Sequence, residues 1–115
     1  MGNIADSRIL TEDTLKLELG PAELAPEDVV AGRPEVSSRV LSEGPGAEVG
    51  IWQLTTGTVT DTEVDEVFIV LAGDGTVAFT DGSEINLKPG VAVRLNAGDR
   101  TVWTVRKTLR KIYVV

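Results

Sequence analysis

The second half of this chain consists of short apolar runs separated by turn residues at close intervals. These runs fall at residues 49–55, 66–72, 76–80, 84–88, 91–95, 101–105 and 109–115, and Gly, Pro, Asp or Asn lies in nearly every gap. No stretch of useful length in this half repeats its apolar residues at the 3.6-residue period of a helix. Many short strands joined by glycine-rich turns indicate an all-β sandwich or barrel.

The strongest strand signal is the stretch 66–73, which reads Glu-Val-Phe-Ile-Val-Leu-Ala-Gly. It predicts a buried strand that runs into a tight turn at Gly73-Asp74-Gly75, with residues 76–80 forming the next strand of a hairpin. A carboxylate at the start of a core strand is costly unless it has a partner or a function. Glu66 is therefore the first candidate functional residue.

The first 48 residues are less regular. Residues 15–19 alternate weakly and predict a short strand that Gly20-Pro21 ends, while residues 36–40 predict an edge strand. Residues 21–28 have room for one helical turn, because their prolines break anything longer. A chain of 115 residues forms one domain. We divide it into an N-terminal extension, residues 1–29, and a barrel, residues 30–115.

Composition excludes several classes of function. The net charge of -7 argues against nucleic acid and against anionic membrane surfaces as partners. The chain has no histidine and no cysteine, so it lacks the commonest metal ligands and the usual general base near neutral pH. The first eight residues have neither a basic start nor an apolar core, and no apolar run approaches the roughly 20 residues of a membrane span. We expect a soluble cytoplasmic protein.

Two motifs in the second half resemble those of the cupin superfamily. A Glu, six residues and a Gly at 66–73 resemble the end of the first cupin motif, and Pro89-Gly90, the run 91–95 and the turn 96–98 resemble the second. The resemblance implies a double-stranded β-helix, that is, a jelly-roll barrel, and a homodimer formed through an N-terminal strand and a sheet face. Four further segments resemble the small single-domain branch related to ureidoglycine aminohydrolase: 50–52, 56–58, 101–105 and 109–113.

The resemblance also places the positions at which cupins bind a metal. Projected onto this chain, the ligand positions are Val59, Asp61, Glu66 and Thr101, or with a shifted loop Thr60 and Thr62 for the first pair. Only Glu66 retains a family ligand, so we expect no metal and no other cofactor. An oxygen-only site for Ca or Mg from residues 61, 63, 65 and 66 is the alternative. Strand alternation, however, separates the first three from Glu66, which favours a solvated acidic loop.

The same alternation predicts an apolar pocket with one acidic group. Trp103 lies two residues after Thr101 and shares its face, and Phe68 shares the face of Glu66. The predicted ligand-binding residues are Trp52, Asp61, Phe68, Arg94, Thr101 and Trp103. The alternative interpretation is that the aromatic residues simply fill a small barrel.

Glu66 is the catalytic candidate in this pocket. It acts as a general acid or base, or binds a cationic group of a ligand, or else is a structural carboxylate paired with Arg94 or with threonine hydroxyls. Arg110 is a possible inward partner, although a surface position is the simpler interpretation. Tyr113 is assigned to the core.

Three functions follow as hypotheses. The first is a metal-free cupin that binds a small molecule of unassigned identity. The second is an enzyme similar to ureidoglycine aminohydrolase that acts on a small ureido or amino compound. The third is a structural or regulatory dimer with a vestigial pocket.

Overall fold

The computed structural model describes residues 8–115, which form nine β-strands and one 3-10 turn. The strands are β1 (Gly20–Ala22), β2 (Val29–Gly32), β3 (Val36–Ser42), β4 (Val49–Leu54), β5 (Gly57–Thr62), β6 (Glu66–Phe79), β7 (Glu84–Leu87), β8 (Ala92–Leu95) and β9 (Arg100–Val114). The 3-10 turn Pro26–Asp28 precedes β2. Within the described range, no helix is long and apolar enough to span a membrane.

Two long strands, β6 and β9, run through both layers of the barrel. The first half of β6 and the second half of β9 pair with each other, and together with β8, β4, β3 and β1 they form the first sheet. The other halves of β6 and β9 pair with β7, β5 and β2 to form the second sheet. All pairings are antiparallel, and the all-β jelly-roll barrel that the sequence predicts is confirmed.

The hydrophobic core lies between these two sheets. Leu54, Phe68 and Leu109 enter it from the first sheet, and Val77 and Trp103 enter it from the second. Each of these side chains is at most 2% exposed. Strand alternation directs one face of every strand inward and accounts for the spacing of the apolar runs.

The predicted turn at Gly73-Asp74-Gly75 is wrong, because β6 continues through it as far as Phe79. The strand bends there against β9, with an irregular register between residues 70 and 75. Gly73 has φ +102, and a Cβ at this position would overlap the carbonyl of Thr108. Glycine is therefore required by the close approach of two strands. Lys88-Pro89-Gly90 and residues 96–99, whose proline, glycine and asparagine are typical of turns, do form turns.

The N-terminal part of the described chain covers the outer face of the first sheet. The predicted strand at 15–19 is wrong: Asp13 accepts hydrogen bonds from the backbone of Leu15 and Lys16 and forms a turn instead. Arg110 Nη1 donates to the carbonyls of Thr14 and Leu17. An inward position for Arg110 is thereby excluded. Two further expectations, a homodimer and a domain boundary after residue 29, stay predictions.

Candidate functional site

A cavity of about 180 Å³ opens between the two sheets at one end of the barrel. Its walls come from β3, β4, β5, β6 and β9, and its rim from the segment that leads into the 3-10 turn. The lining residues are Glu23, Leu24, Ala25, Asp28, Val36, Trp52, Val59, Thr60, Asp61, Glu63, Glu66, Trp103, Lys111 and Tyr113. Both tryptophans and five carboxylates belong to this set, but only one basic residue.

That basic residue, Lys111, is enclosed by aromatic rings. Its side chain is 6% exposed, and its Nζ donates to Glu66 Oε2 at 2.6 Å. The same Nζ lies 4.6 Å from the ring centroid of Trp52, 4.3 Å from that of Phe68 and 4.8 Å from that of Trp103. A carboxylate and three ring faces thus replace the water that an exposed ammonium binds. We call these five residues the lysine cage.

The second carboxylate of the cavity is Glu63, which has no basic partner among residues 8–115. Its Oε2 accepts hydrogen bonds from Thr101 Oγ1 at 2.7 Å and from Trp103 Nε1 at 3.1 Å. Burial raises the pKa of Glu63 from 4.5 to about 7; the Thr101 hydrogen bond opposes this rise and the nearby Asp61 charge adds to it. Glu63 therefore changes its charge near neutral pH, where general acids and bases work.

Tyr113 forms part of the wall beside the lysine cage. Its hydroxyl donates to Glu48 Oε2 at 2.8 Å, and its ring lies against Gly50, where any Cβ would overlap it. Burial and the carboxylate of Glu48 raise the pKa of Tyr113 to about 12. The phenol therefore stays protonated at neutral pH. The prediction that Tyr113 is a core residue is correct only in part, because its side chain packs against the core and also lines the cavity.

Most of the predicted site residues lie at this cavity. Trp52, Asp61, Glu66 and Trp103 line it directly. Phe68 and Thr101 are buried just behind the wall, where they contact Lys111 and Glu63 respectively. Their roles in ligand binding or catalysis stay predictions.

Arg94 is the exception. It pairs in register with Val67 on the outward face of β8, and its side chain is exposed. The prediction that Arg94 lines the pocket or pairs with Glu66 is wrong, because Lys111 fills that position from β9.

Two residues of the site were missed by the sequence reasoning. Lys111 lies eight residues after Trp103, an even separation, but the same count also places the exposed Lys107 inward, because alternation along β9 is interrupted at residues 106–108. Glu63 was assigned to a solvated loop on the face opposite Glu66, but β5 ends at Thr62 and alternation is lost before β6 begins. The backbone of Glu63 bonds instead to Gly98 and Asp99, which turns its side chain inward. No pattern in the sequence marks that interruption.

The residues at the projected metal positions do not fit a divalent ion. Val59 offers only hydrocarbon, Thr101 donates to Glu63, and Glu66 is neutralised by an ammonium. The fourth position, Asp61, is exposed at the rim and supplies a single carboxylate. In the described part of the chain, no three acidic side chains converge as metal ligands would. The lysine cage offers one carboxylate and three aromatic rings, a donor set that suits an ammonium better than a divalent metal.

The model of the EutQ-like cupin domain matches residues 41–113 of the chain. No curated protein matches the sequence.

Among solved structures, three illustrate the range of similarity. A protein of unknown function from Pseudomonas syringae has a TM-score of 0.78 and 23% identity; the match covers 89% of this chain but only 45% of that protein. A protein of Salmonella typhimurium named for ethanolamine utilization has a TM-score of 0.62 and 23% identity over 70% of this chain and 68% of its own. The ectoine synthase of P. lautus has a TM-score of 0.64 and 20% identity, and the match covers 76% of this chain and 67% of that protein. At these identities, the likeness establishes the fold alone.

Proposed function

The chain belongs to the family of EutQ-like cupin domains, and we propose that it binds a small organic cation in its cavity without a divalent metal. The observation behind this proposal is the way two carboxylates are fixed. Glu63 and Glu66 each accept their hydrogen bonds through Oε2, and within residues 8–115 no N–H group or hydroxyl donates to the Oε1 of either; the carboxyl of Asp61 is a further hydrogen-bonding neighbour of Glu63. Two oriented carboxylate oxygens are thereby left for a ligand.

The charge around the cavity supports a cation over an anion. Glu23, Asp28 and Asp61 surround the opening, in addition to Glu63 and Glu66 inside it. Lys111 neutralises only Glu66. The remaining negative potential, in a chain whose net charge is -7, attracts cations and repels anions.

The aromatic walls and the volume narrow the ligand further. Trp52 and Tyr113 are partly buried and line the cavity, where their ring faces attract an organic cation. The volume of about 180 Å³ equals that of roughly six water molecules. A primary ammonium or guanidinium compound of a few heavy atoms fits this space. The name of the ethanolamine-utilization neighbour makes a small amino alcohol a reasonable first compound.

Calorimetric titration tests this proposal. Ethanolamine, propylamine and guanidinium are titrated into protein kept in a chelator, and propionate and propanol serve as anionic and neutral comparisons. We expect saturable binding for the cations alone. Glu63→Gln should weaken binding about tenfold by removing one charge-assisted hydrogen bond, whereas Glu84→Gln, at an exposed carboxylate of β7, should not. Binding that requires an added metal, or that prefers the anion, would contradict the proposal.

An enzymatic function is the second candidate, because the pKa of Glu63 lies at about 7. A carboxylate at this pKa can accept a proton from a bound amino or ureido compound and return it. We therefore assay ammonia release from small ureido and amino compounds across a range of pH. Activity that rises as Glu63 ionises and disappears in Glu63→Gln would support an enzyme; binding without turnover would leave the receptor function. If the protein shows neither binding nor turnover, that result would favour the structural or regulatory dimer.

A further inference from the structure

The lysine cage has the composition of a cation-binding site that is already occupied. Lys111 reaches it from β9, Trp52 contributes from β4, and Glu66 and Phe68 contribute from β6. Residues from three strands of the first sheet thus converge on one nitrogen atom. Since the Lys111 side chain is only 6% exposed, its charge depends on these groups and not on water.

The cation in this site is the ammonium of Lys111, which is bound to Glu66 at the place where a cupin metal ligated by Glu66 would lie. A divalent ion bound to Glu66 would lie beside a positive ammonium and would be repelled. The ammonium instead satisfies the carboxylate and lies over three ring faces at once, an environment that suits a monovalent cation with a hydrocarbon tail. The cage therefore differs from a metal site in charge and in ligand type.

We infer that the Lys111 ammonium replaces a metal ion as the resident cation of this cupin, and that the surrounding groups form a receptor for primary alkylammonium ions. The cage borders the ligand position proposed above and shares Glu66 and Trp52 with it, but only the ligand position requires Glu63. When Lys111 is shortened to alanine, the lost atoms are three carbons and the ammonium nitrogen. Propylammonium has the same atoms in the same order and should occupy the vacated cage.

Chemical rescue of Lys111→Ala tests this inference. We expect the variant to unfold at a temperature lower by on the order of 10 °C, and propylammonium to restore much of the loss with saturation. Propanol, which has the same chain without the charge, should not restore it, nor should potassium chloride at equal ionic strength. Lys107→Ala is the matched control: Lys107 lies on the same strand but is exposed, so we expect no large loss, and propylammonium should raise its unfolding temperature no more than that of the native protein.

Two double variants separate this site from the proposed ligand position. Rescue should persist in Lys111→Ala/Glu63→Gln, because Glu63 lies outside the cage, and should disappear in Lys111→Ala/Glu66→Gln. Rescue that depends on Glu63 and not on Glu66 would assign the propylammonium to the ligand cavity and overturn the inference, while leaving the proposed function intact. If Lys111→Ala does not fold alone, refolding with propylammonium or propanol gives the same comparison: recovery with the amine alone supports the inference, and equal recovery or none contradicts it.

Metal binding to the native protein is the remaining test. Titration with Zn²⁺, Mn²⁺ and Ca²⁺ should leave the unfolding temperature unchanged. A saturable stabilisation by any of these ions that disappears in Glu66→Gln would show that a metal displaces Lys111, and would overturn the inference.

Discussion

The two carboxylates of the cavity lie in one barrel but are stabilised differently. Glu66 has a buried ammonium at 2.6 Å, and that ammonium in turn contacts three rings. Glu63 is equally enclosed, with 8% of its surface exposed, but its hydrogen-bond donors in the described part of the chain, Thr101 and Trp103, are both neutral. The first carboxylate is neutralised by its own chain, whereas the second is left to titrate or to meet a ligand. A buried carboxylate is thus available to titrate or to bind a ligand when its hydrogen-bond partners carry no charge.

The largest expected effect comes from removing the tethered cation. Lys111→Met keeps most of the hydrocarbon chain but leaves Glu66 buried without its partner, and we expect a loss of about 3–5 kcal/mol in the free energy of unfolding. Urea denaturation measures this loss, with Lys107→Met as the exposed control. A loss below about 1 kcal/mol, the size typical of surface pairs, would mean that the lysine cage does not differ from a surface ion pair.

The next effect concerns the pH dependence that Glu63 produces. Because its pKa in the folded protein is raised from 4.5 to about 7, the folded state binds the proton more tightly than the unfolded state. This stabilisation is fully present below pH 4.5 and is lost as the pH rises to about 7. The loss in the free energy of unfolding is on the order of 2 kcal/mol once solvent screening is included. Glu63→Gln mimics the protonated form and should flatten this part of the stability curve. An unchanged slope in the variant would assign the titration to another group.

A smaller effect is expected from Trp103, whose ring contacts the lysine cage while its Nε1 donates to Glu63. Trp103→Phe keeps an aromatic face for Lys111 but removes the hydrogen bond that lowers the pKa of Glu63. We expect a loss of about 1 kcal/mol in stability and a further rise in the Glu63 pKa, measured by carboxyl NMR titration. A fall in that pKa would contradict the hydrogen-bond assignment.

The smallest effect is that of Asp61, whose charge contributes to raising the pKa of Glu63. Since Asp61 is exposed at the rim, Asp61→Asn should change stability by no more than about 0.5 kcal/mol. The same NMR titration should show a lower pKa for Glu63 in this variant. An unchanged pKa would mean that solvent screens the two carboxylates from each other and that burial alone perturbs Glu63.

Much of the fold was predictable because it depends on local chemistry. The turns at 88–90 and 96–99 need particular residues, and the inward faces follow from alternation. The sequence predicts a hairpin turn at Gly73, whereas the structure has a bend within one strand. Glycine permits either conformation, and the bend is identified only by the close approach of the Thr108 carbonyl. Local sequence reports that a strand changes direction but not which strand it then meets.

The candidate site was less predictable for a related reason. Counting along β9 from Trp103 could not place Lys111, because the strand loses its alternation at residues 106–108, where Lys107 is exposed in spite of its even separation from Trp103. Glu63 could not be placed, because its orientation is set by backbone bonds to Gly98 and Asp99, which are distant in sequence. The environment that raises its pKa is likewise assembled from separate strands.

Calorimetric titration of a small primary ammonium, in a chelator and on both sides of the Glu63 pKa of about 7, tests the account most directly. We predict saturable binding to the native protein that needs no metal, weakens as pH falls through that pKa until it levels off at a loss of about tenfold, and loses this pH dependence in Glu63→Gln. Binding that is independent of pH, or that appears only when a divalent metal is added, would contradict the account.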